Sequence, residues 1–116
     1  MRKPVLVVAV LLLALAATAL MAMREPPAPV APVVHNGVKY TAPAEQMGYV
    51  VAFNASSGAK LWEQKIYDVK LDPTLEADIQ FIYIRNLAIQ GNELVITNEA
   101  EARYAMNLSS RAVRKL

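Results

Sequence analysis

GYVVAFNASSGAKLW, from Gly48 to Trp62, is the stretch that decides the fold. Its first half, from Tyr49 to Phe53, has the β-branched and aromatic side chains typical of a strand. The next residues, from Asn54 to Gly58, favour a turn, because Asn and Ser bond nearby backbone and glycine adopts a positive φ without a Cβ clash. A returning strand then opens at Lys60. The stretch predicts a β-hairpin closed by a loop of about four or five residues.

Trp62, on the returning strand, is the only tryptophan of the chain. A tryptophan buries roughly 150 to 250 Å², so in a chain of this size it is predicted to form the largest part of the core. The functional alternative is an indole that stacks on a ligand. Core packing is the favoured interpretation.

Part of this stretch occurs twice. FNASSGA, from Phe53 to Ala59, aligns with MNLSSRA, from Met106 to Ala112, at an offset of 53 residues. Asn54 and Asn107, both serines and the final alanine are retained, whereas Arg111 stands where the first copy has glycine. A repeat period somewhat above ~40 residues fits the blades of a β-propeller better than a helical array.

The copy from Ala52 to Trp62 resembles the repeat of quinoprotein-type (PQQ-like) β-propellers. In those repeats a strand ends in Asp or Asn, a turn of small residues with glycine follows, and the next strand carries a tryptophan. The second copy departs from this pattern at Arg111 and in having no tryptophan before Leu116. The resemblance covers about a third of the chain and implies propeller-like blades. By itself it would also suggest an enzyme of the quinoprotein class.

The N-terminus predicts export. Arg2 and Lys3 precede an apolar run from Val5 to Met23, and Ala17-Thr18-Ala19 supplies a small-x-small cleavage site. The run is also nearly as long as the roughly 20 residues of a membrane-spanning helix. We expect residues 1–23 to be a cleaved signal peptide, with a signal anchor as the alternative. In both cases the remainder is delivered across the membrane, to the periplasm, the cell exterior or the outer side of the inner membrane.

The composition after this segment limits the function classes. From residue 24 onward, ten Lys and Arg balance ten Asp and Glu, so no basic surface indicates nucleic acid. The chain has no cysteine, which excludes disulfides and thiol chemistry. Four prolines within residues 24–32 predict an extended linker. A β domain is expected over residues 33–116.

Few residues of this domain offer chemistry. His35 is the only histidine and is predicted to end a strand before the Asn36-Gly37 hairpin turn. Four carboxylates lie close together in sequence, where a calcium site is the functional alternative to a solvated connection; these are Asp68, Asp72, Glu76 and Asp78. Asp72-Pro73 also predicts the start of a short helix. The sequence therefore predicts no catalytic, metal-binding or cofactor-binding residues.

The remaining pattern predicts strands joined by short turns. Residues 84–116 give four strands, the number in one propeller blade, and residues 33–71 give about three more. An interrupted alternation near Gln64 predicts a bulge in one of them. The predicted fold is all-β: an antiparallel meander of about seven strands in two blade-like units, after the apolar segment. A small closed sandwich or barrel is the alternative.

These features favour an exported, non-catalytic module that binds a protein or an envelope component. The alternative is a fragment or relative of a quinoprotein dehydrogenase-type propeller without its own activity, since a funnel-shaped active site needs about four to eight blades. Open strand edges predict self-association or partner binding, at Val38 to Thr41 or at Ala112 to Leu116. Five residues are predicted to have structural roles: Gly37, Asn54, Gly58, Trp62 and Asn107.

Overall fold

A computed structural model describes residues 25–116 of the 116-residue chain. The apolar segment expected over residues 1–23 lies outside the described residues. Within them the chain forms eight β-strands, one more than the sequence indicates. They are β1 (Val33–His35), β2 (Val38–Thr41), β3 (Tyr49–Asn54), β4 (Lys60–Lys65), β5 (Ile84–Gln90), β6 (Glu93–Asn98), β7 (Arg103–Asn107) and β8 (Val113–Lys115).

The strands form two antiparallel sheets, each a meander of four consecutive strands. The first sheet has the order β1-β2-β3-β4 and the second the order β5-β6-β7-β8. No ladder joins the two sheets in the described part of the chain. The expected blade-like units are therefore confirmed, and a barrel that closes through strand pairing is not formed.

Tight turns close the hairpins where the sequence indicates them. Asn36 and Gly37 join β1 to β2 with φ values of 49° and 74°, the left-handed pair that matches the twist of a two-residue hairpin. The turn between β3 and β4 spans residues 55–59. Gly91 and Asn92 join β5 to β6, and residues 99–102 join β6 to β7.

The bulge lies in the predicted strand but at another position. Ala52 pairs with Trp62 and Phe53 pairs with Lys60, so Leu61 is the inserted residue, not Gln64. The strand then ends at Lys65, because the chain turns toward the second sheet. The apparent slip in the alternation at Gln64 reflects this bulge three residues earlier.

The long connection from residue 66 to residue 83 contains less helix than expected. Asp72 does not begin a helix: its Oδ1 accepts hydrogen bonds from the backbone N and Oγ1 of Thr74, at 2.9 and 2.7 Å, which forms a turn. A short 3-10 helix, Asp78–Gln80, follows Ala77 instead. The same carboxylate geometry that caps a helix also stabilises an Asx turn, so Asp72-Pro73 in the sequence could not distinguish a helix start from a turn.

One core lies between the facing sides of the two sheets. The first sheet contributes Tyr40, Val50 and Ala52, and Ile66 follows its last strand. The second sheet contributes Ile84, Leu87, Leu94, Ile96 and Met106. The sheets are thus stacked, with one face of each buried against the other. The N-terminal residues 25–32 have no helix or strand, and Val30 packs against this core.

Trp62 is not the centre of the core. It is half-buried at the margin of the cluster, whereas the largest fully buried side chains are Leu94, Ile96, Met106 and Val50. Three of these four side chains come from the strands β6 and β7. Trp62 packs against the cluster without being one of its fully buried members, so the expectation that it buries the largest area of the core stays a prediction.

The strand edges also differ from expectation. β2, which contains Val38–Thr41, lies between β1 and β3 and is not an edge. The short strand β1 covers it, because the Asn36-Gly37 turn brings Val33–His35 back alongside. The C-terminal strand β8 is an edge, as the sequence indicates.

Candidate interaction surfaces

The turn after β3 is organised by one amide side chain. Asn54 Oδ1 accepts hydrogen bonds from the backbone N of Ser56 and of Ser57, both at 2.9 Å. Gly58 N donates to Asn54 O at 2.8 Å, and Ala59 N donates to Ser57 Oγ at 3.2 Å. The side chains of Asn54 and Ser57 therefore satisfy backbone donors within the turn.

The turn after β7 repeats these bonds. Asn107 Oδ1 accepts from the backbone N of Ser109 and of Ser110, at 2.8 and 2.9 Å. Arg111 N donates to Asn107 O at 2.7 Å, and Ala112 N donates to Ser110 Oγ at 3.2 Å. The two sequence copies are two copies of one three-dimensional turn.

Each of these turns rests on the neighbouring hairpin turn of its own sheet. Ala55 N donates to Gly37 O, and Leu108 N donates to Asn92 O, both at 2.9 Å. Gly37 and Asn54 are therefore brought together at one end of the first sheet. The same arrangement recurs at the end of the second sheet, where Asn92 Nδ2 also donates to Ser109 Oγ at 3.0 Å.

Gly58 and Arg111, one of the three pairs at which the copies differ, take the same backbone conformation. Gly58 has φ of 76° and Arg111 has φ of 64°. Arg111 reaches across to the first sheet, where its guanidinium carbon lies 5.1 Å from the centroid of the Trp62 ring. Trp62 also contacts Tyr40, with ring centroids 6.0 Å apart. The cation–π contact thus joins the two blades at the margin of their common core.

At the other side of the core, Tyr67 connects the sheets. Its ring stacks on Tyr104 with centroids 5.3 Å apart, and its hydroxyl donates to Ile82 O at 2.6 Å. Burial, together with the neighbouring Tyr104 and Glu99, raises the pKa of Tyr67 well above the ordinary tyrosine value. This hydroxyl is a partly buried structural donor and not a group poised to exchange a proton near neutral pH.

The acidic connection does not form a metal centre. Asp68 pairs with Lys65, and the hydrogen bonds from Thr74 lower the pKa of Asp72. Over residues 25–116 no three His, Cys, Asp or Glu side chains are grouped so that they could hold a metal ion. His35 ends β1, where its Nε2 lies 3.2 Å from Asn36 Nδ2.

A groove of about 300 Å³ lies between the N-terminal segment and the connection from β2 to β3. Its walls are residues 27–30 of the N-terminal segment, residues 41–45, 47 and 48 between β2 and β3, and Tyr83 and Ile84. This lining is mostly apolar and contains a single carboxylate, Glu45. It has the character of a packing surface for an apolar chain segment and contains no pair of acid and base groups.

Each sheet has one face in the core and one face turned away from it. Val51, Val95 and Ala105 are at most 5% exposed but do not belong to the core cluster. The strand register places them on the outward faces.

Two surfaces are defined by these outward faces. The open face of the first sheet consists of Val34, Lys39, Phe53, Lys60 and Leu61. The open face of the second sheet consists of Ala88, Val95, Arg103, Ala105 and Arg114.

The two open faces differ in character. On the first, Val34 and Leu61 are 60% and 49% exposed. On the second, Arg114 donates to Glu93 at 2.8 Å across the strands. Among residues 25–116, these faces and the outer edges at β4 and β8 are candidate surfaces for a partner.

The sheets have the architecture of β-propeller blades, and the comparison with known structures agrees. The solved structure of BamB from Moraxella catarrhalis, a β-propeller, is similar to this chain with a TM-score of 0.55 at 10% sequence identity. The match covers 78% of this chain and 28% of that one, so the chain spans less than a third of that protein's length. At this identity the similarity establishes the fold alone. No family model and no curated protein matches the sequence.

The contacts of two residues, Arg111 and Gly48, were not predicted from the sequence. Arg111 contacts Trp62, and the only signal was a charged residue at a position that favours glycine. Gly48 also has a positive φ, of 81°, and a Cβ there would lie 2.5 Å from the backbone O of Tyr67. Its neighbour in space is 19 residues away in sequence, so no local pattern could indicate the contact.

Proposed function

We propose that the chain is an exported, non-catalytic β-repeat module that binds a protein or another component of the cell envelope. The observation that carries this proposal is the pair of open sheet faces. In a propeller, each blade is covered on both faces by its neighbours in a closed ring. Within residues 25–116 each blade has one face in the shared core, and large apolar side chains are exposed on one of the two outward faces.

The edges support the same proposal. β4 and β8 present unpaired backbone N–H and C=O groups along their outer sides. β4 carries Lys60, Glu63 and Lys65, and β8 carries Arg114 and Lys115. Charged residues along an edge limit indiscriminate pairing while leaving the sheet face free for a specific partner.

Site-specific crosslinking in the native envelope tests the proposal. A photo-reactive residue at Leu61 on the open face is expected to give a discrete adduct of defined mass. Lys70, which is exposed on the connection between the blades, is the matched control position and should give none. Equal labelling at Leu61 and Lys70, or no adduct at Leu61 while the protein is folded and exported, would contradict the proposal.

The second candidate is a relative of quinoprotein dehydrogenases without its own activity, favoured by the propeller-like fold. A funnel-shaped active site requires about four to eight blades, and the described residues form two. We expect no saturable binding of pyrroloquinoline quinone and no alcohol- or sugar-dependent dye reduction. Titration of the purified protein with that cofactor, followed by a dye-reduction assay, measures both, and saturable binding with turnover would establish an enzyme.

A further inference from the structure

The contact between the two blades is not symmetric. The core-facing row of the first sheet pairs Val33 with Tyr40, Tyr40 with Ala52, and Ala52 with Trp62. The row at the same register of the second sheet is on the open face, because it pairs Ala88 with Val95, Val95 with Ala105, and Ala105 with Arg114. The first blade therefore uses one side of the repeat in the core, and the second blade leaves that side open.

The converse holds for the other side of the repeat. The core-facing row of the second sheet is Ile89, Leu94, Met106 and Val113. Its counterpart in the first sheet is Val34, Lys39, Phe53 and Lys60, which lies on the open face. If the side of the repeat that carries Tyr40 is called its front and the side that carries Leu94 its back, the blades pack front to back. Within residues 25–116, the front of the second blade and the back of the first blade remain outside the core.

We propose that a second copy of this chain occupies these faces, so that the open face of the first sheet packs on the open face of the second sheet of the next copy. This contact would continue the front-to-back stack already formed within the chain. The proposal specifies the partner of the proposed function and rests on it. It places self-association on the sheet faces, where the sequence had indicated the strand edges.

The residues on the open faces support this occupant. Small apolar centres, Val95 and Ala105, stand where the first sheet uses Tyr40 and Ala52. Opposite them, Val34 and Phe53 take the positions of Ile89 and Met106, and the inserted Leu61 adds exposed apolar surface beside them. These faces are more polar than the core, because they carry Lys39, Lys60, Arg103 and the Glu93–Arg114 pair. We therefore expect association to be weaker than the packing within the chain.

A front-to-back contact also sets the form of the assembly. Such a heterologous interface closes into a ring if its rotation allows and otherwise continues as a chain of subunits. Propellers close with about four to eight blades, so a ring of two-bladed chains would contain about two to four copies. The expected product is a closed oligomer within this range.

The internal contact indicates where two copies should meet. Within the chain, Trp62 of the first sheet lies next to Arg111 of the second. Arg114 occupies the register of Trp62, and Gly58 is the counterpart of Arg111. In the stack, Arg114 of one copy therefore lies near the Gly58 turn of the next copy, where Ala59 is exposed.

Crosslinking between engineered cysteines tests this geometry, and the absence of native cysteine makes the assignment clean. We expect full-length Ala59→Cys and Arg114→Cys proteins, each alone, to give no product with a short bismaleimide. Their mixture should give a dimer, and the double variant should give a ladder that ends at about two to four copies. Lys70→Cys mixed with Arg114→Cys is the matched control and should give none. Circular dichroism of each variant verifies that it folds.

Three outcomes would overturn the stacking. A dimer from Ala59→Cys alone would show a symmetric contact, and a monomer by light scattering across micromolar concentrations, without a ladder, would show that copies do not associate. An adduct in which Ala59→Cys joins a different envelope protein, with the chain otherwise monomeric, would refute self-stacking while the proposed binding function stands. A failure of the proposed function is thus distinguishable, since it gives neither a ladder nor an adduct.

Discussion

The two blades adopt the same left-handed backbone conformation at equivalent positions, but with different residues. At two positions related by the 53-residue offset, the chain adopts a left-handed conformation in both copies: Gly48 with Glu101, and Gly58 with Arg111. The first blade uses glycine at both. The second uses charged residues, and each has a partner: Glu101 lies 2.7 Å from Arg85, and Arg111 lies over Trp62.

This difference separates what the backbone requires from what a side chain can add. A non-glycine residue in the left-handed region costs about 1 to 2 kcal/mol. An exposed ion pair contributes about 0.2 to 1 kcal/mol, and an exposed cation–π contact about 0.5 to 1 kcal/mol. The contacts of the second blade therefore offset much of the strain but not all of it. We expect the first blade to be the less strained of the two at these turns.

The largest effect is expected at Gly48. Gly48→Ala combines the strain of a positive φ with a Cβ placed 2.5 Å from the backbone O of Tyr67, so it should destabilise the fold by roughly 2 to 4 kcal/mol. Glu101→Ala is the matched control at the equivalent position. It keeps the same φ strain and loses only an exposed ion pair, about 0.2 to 1 kcal/mol. Urea denaturation of both variants measures the difference, and equal midpoints would show that the site near Tyr67 relaxes.

The next effect is expected at Gly58. A Cβ there meets no atom within 4 Å, so only the φ of 76° penalises a side chain. Gly58→Val should cost roughly 1 to 2 kcal/mol, since a β-branched residue is strained in this region. Gly58→Ala should cost about 1 kcal/mol. An unchanged denaturation midpoint for the valine variant would mean that the turn readily adopts another conformation.

The two asparagines should behave alike. Asn54→Ala and Asn107→Ala each remove the acceptor of two backbone N–H groups. By analogy with the loss of a helix N-cap, each should cost about 1 kcal/mol. Asn→Asp at either position keeps the acceptor oxygen and serves as the control. Thermal unfolding of the four variants measures this, and a large effect in only one blade would break the equivalence of the turns.

The smallest effect is expected for Arg111→Gly. Removing the left-handed strain gains about 1 to 2 kcal/mol, and losing the contact with Trp62 costs about 0.5 to 1 kcal/mol, so a small net stabilisation is expected. Arg111→Ala keeps the strain and loses the contact, and it should destabilise by about 0.5 to 1 kcal/mol. The difference between the unfolding free energies of the two variants measures the strain at Arg111. Equal destabilisation by glycine and alanine would mean that strain at Arg111 is negligible.

The sequence by itself determined the local elements of this protein. Asn36-Gly37, the repeated Asn-x-Ser-Ser turn and the β-branched runs predicted hairpins that the structure contains, because turn bonds and φ preferences act within a few residues. The internal repeat predicted two blade-like units, and these are present. An edge at the C-terminal strand was also foreseen.

The tertiary structure alone decided how these elements face one another. Which strand covers Val38–Thr41, why Trp62 lies at the margin, and what Arg111 contacts all depend on residues far apart in sequence. Side-chain alternation indicates that a strand has two faces, but not which face another sheet will cover. That choice is made when the two sheets bury their apolar rows together, and it leaves one front and one back open.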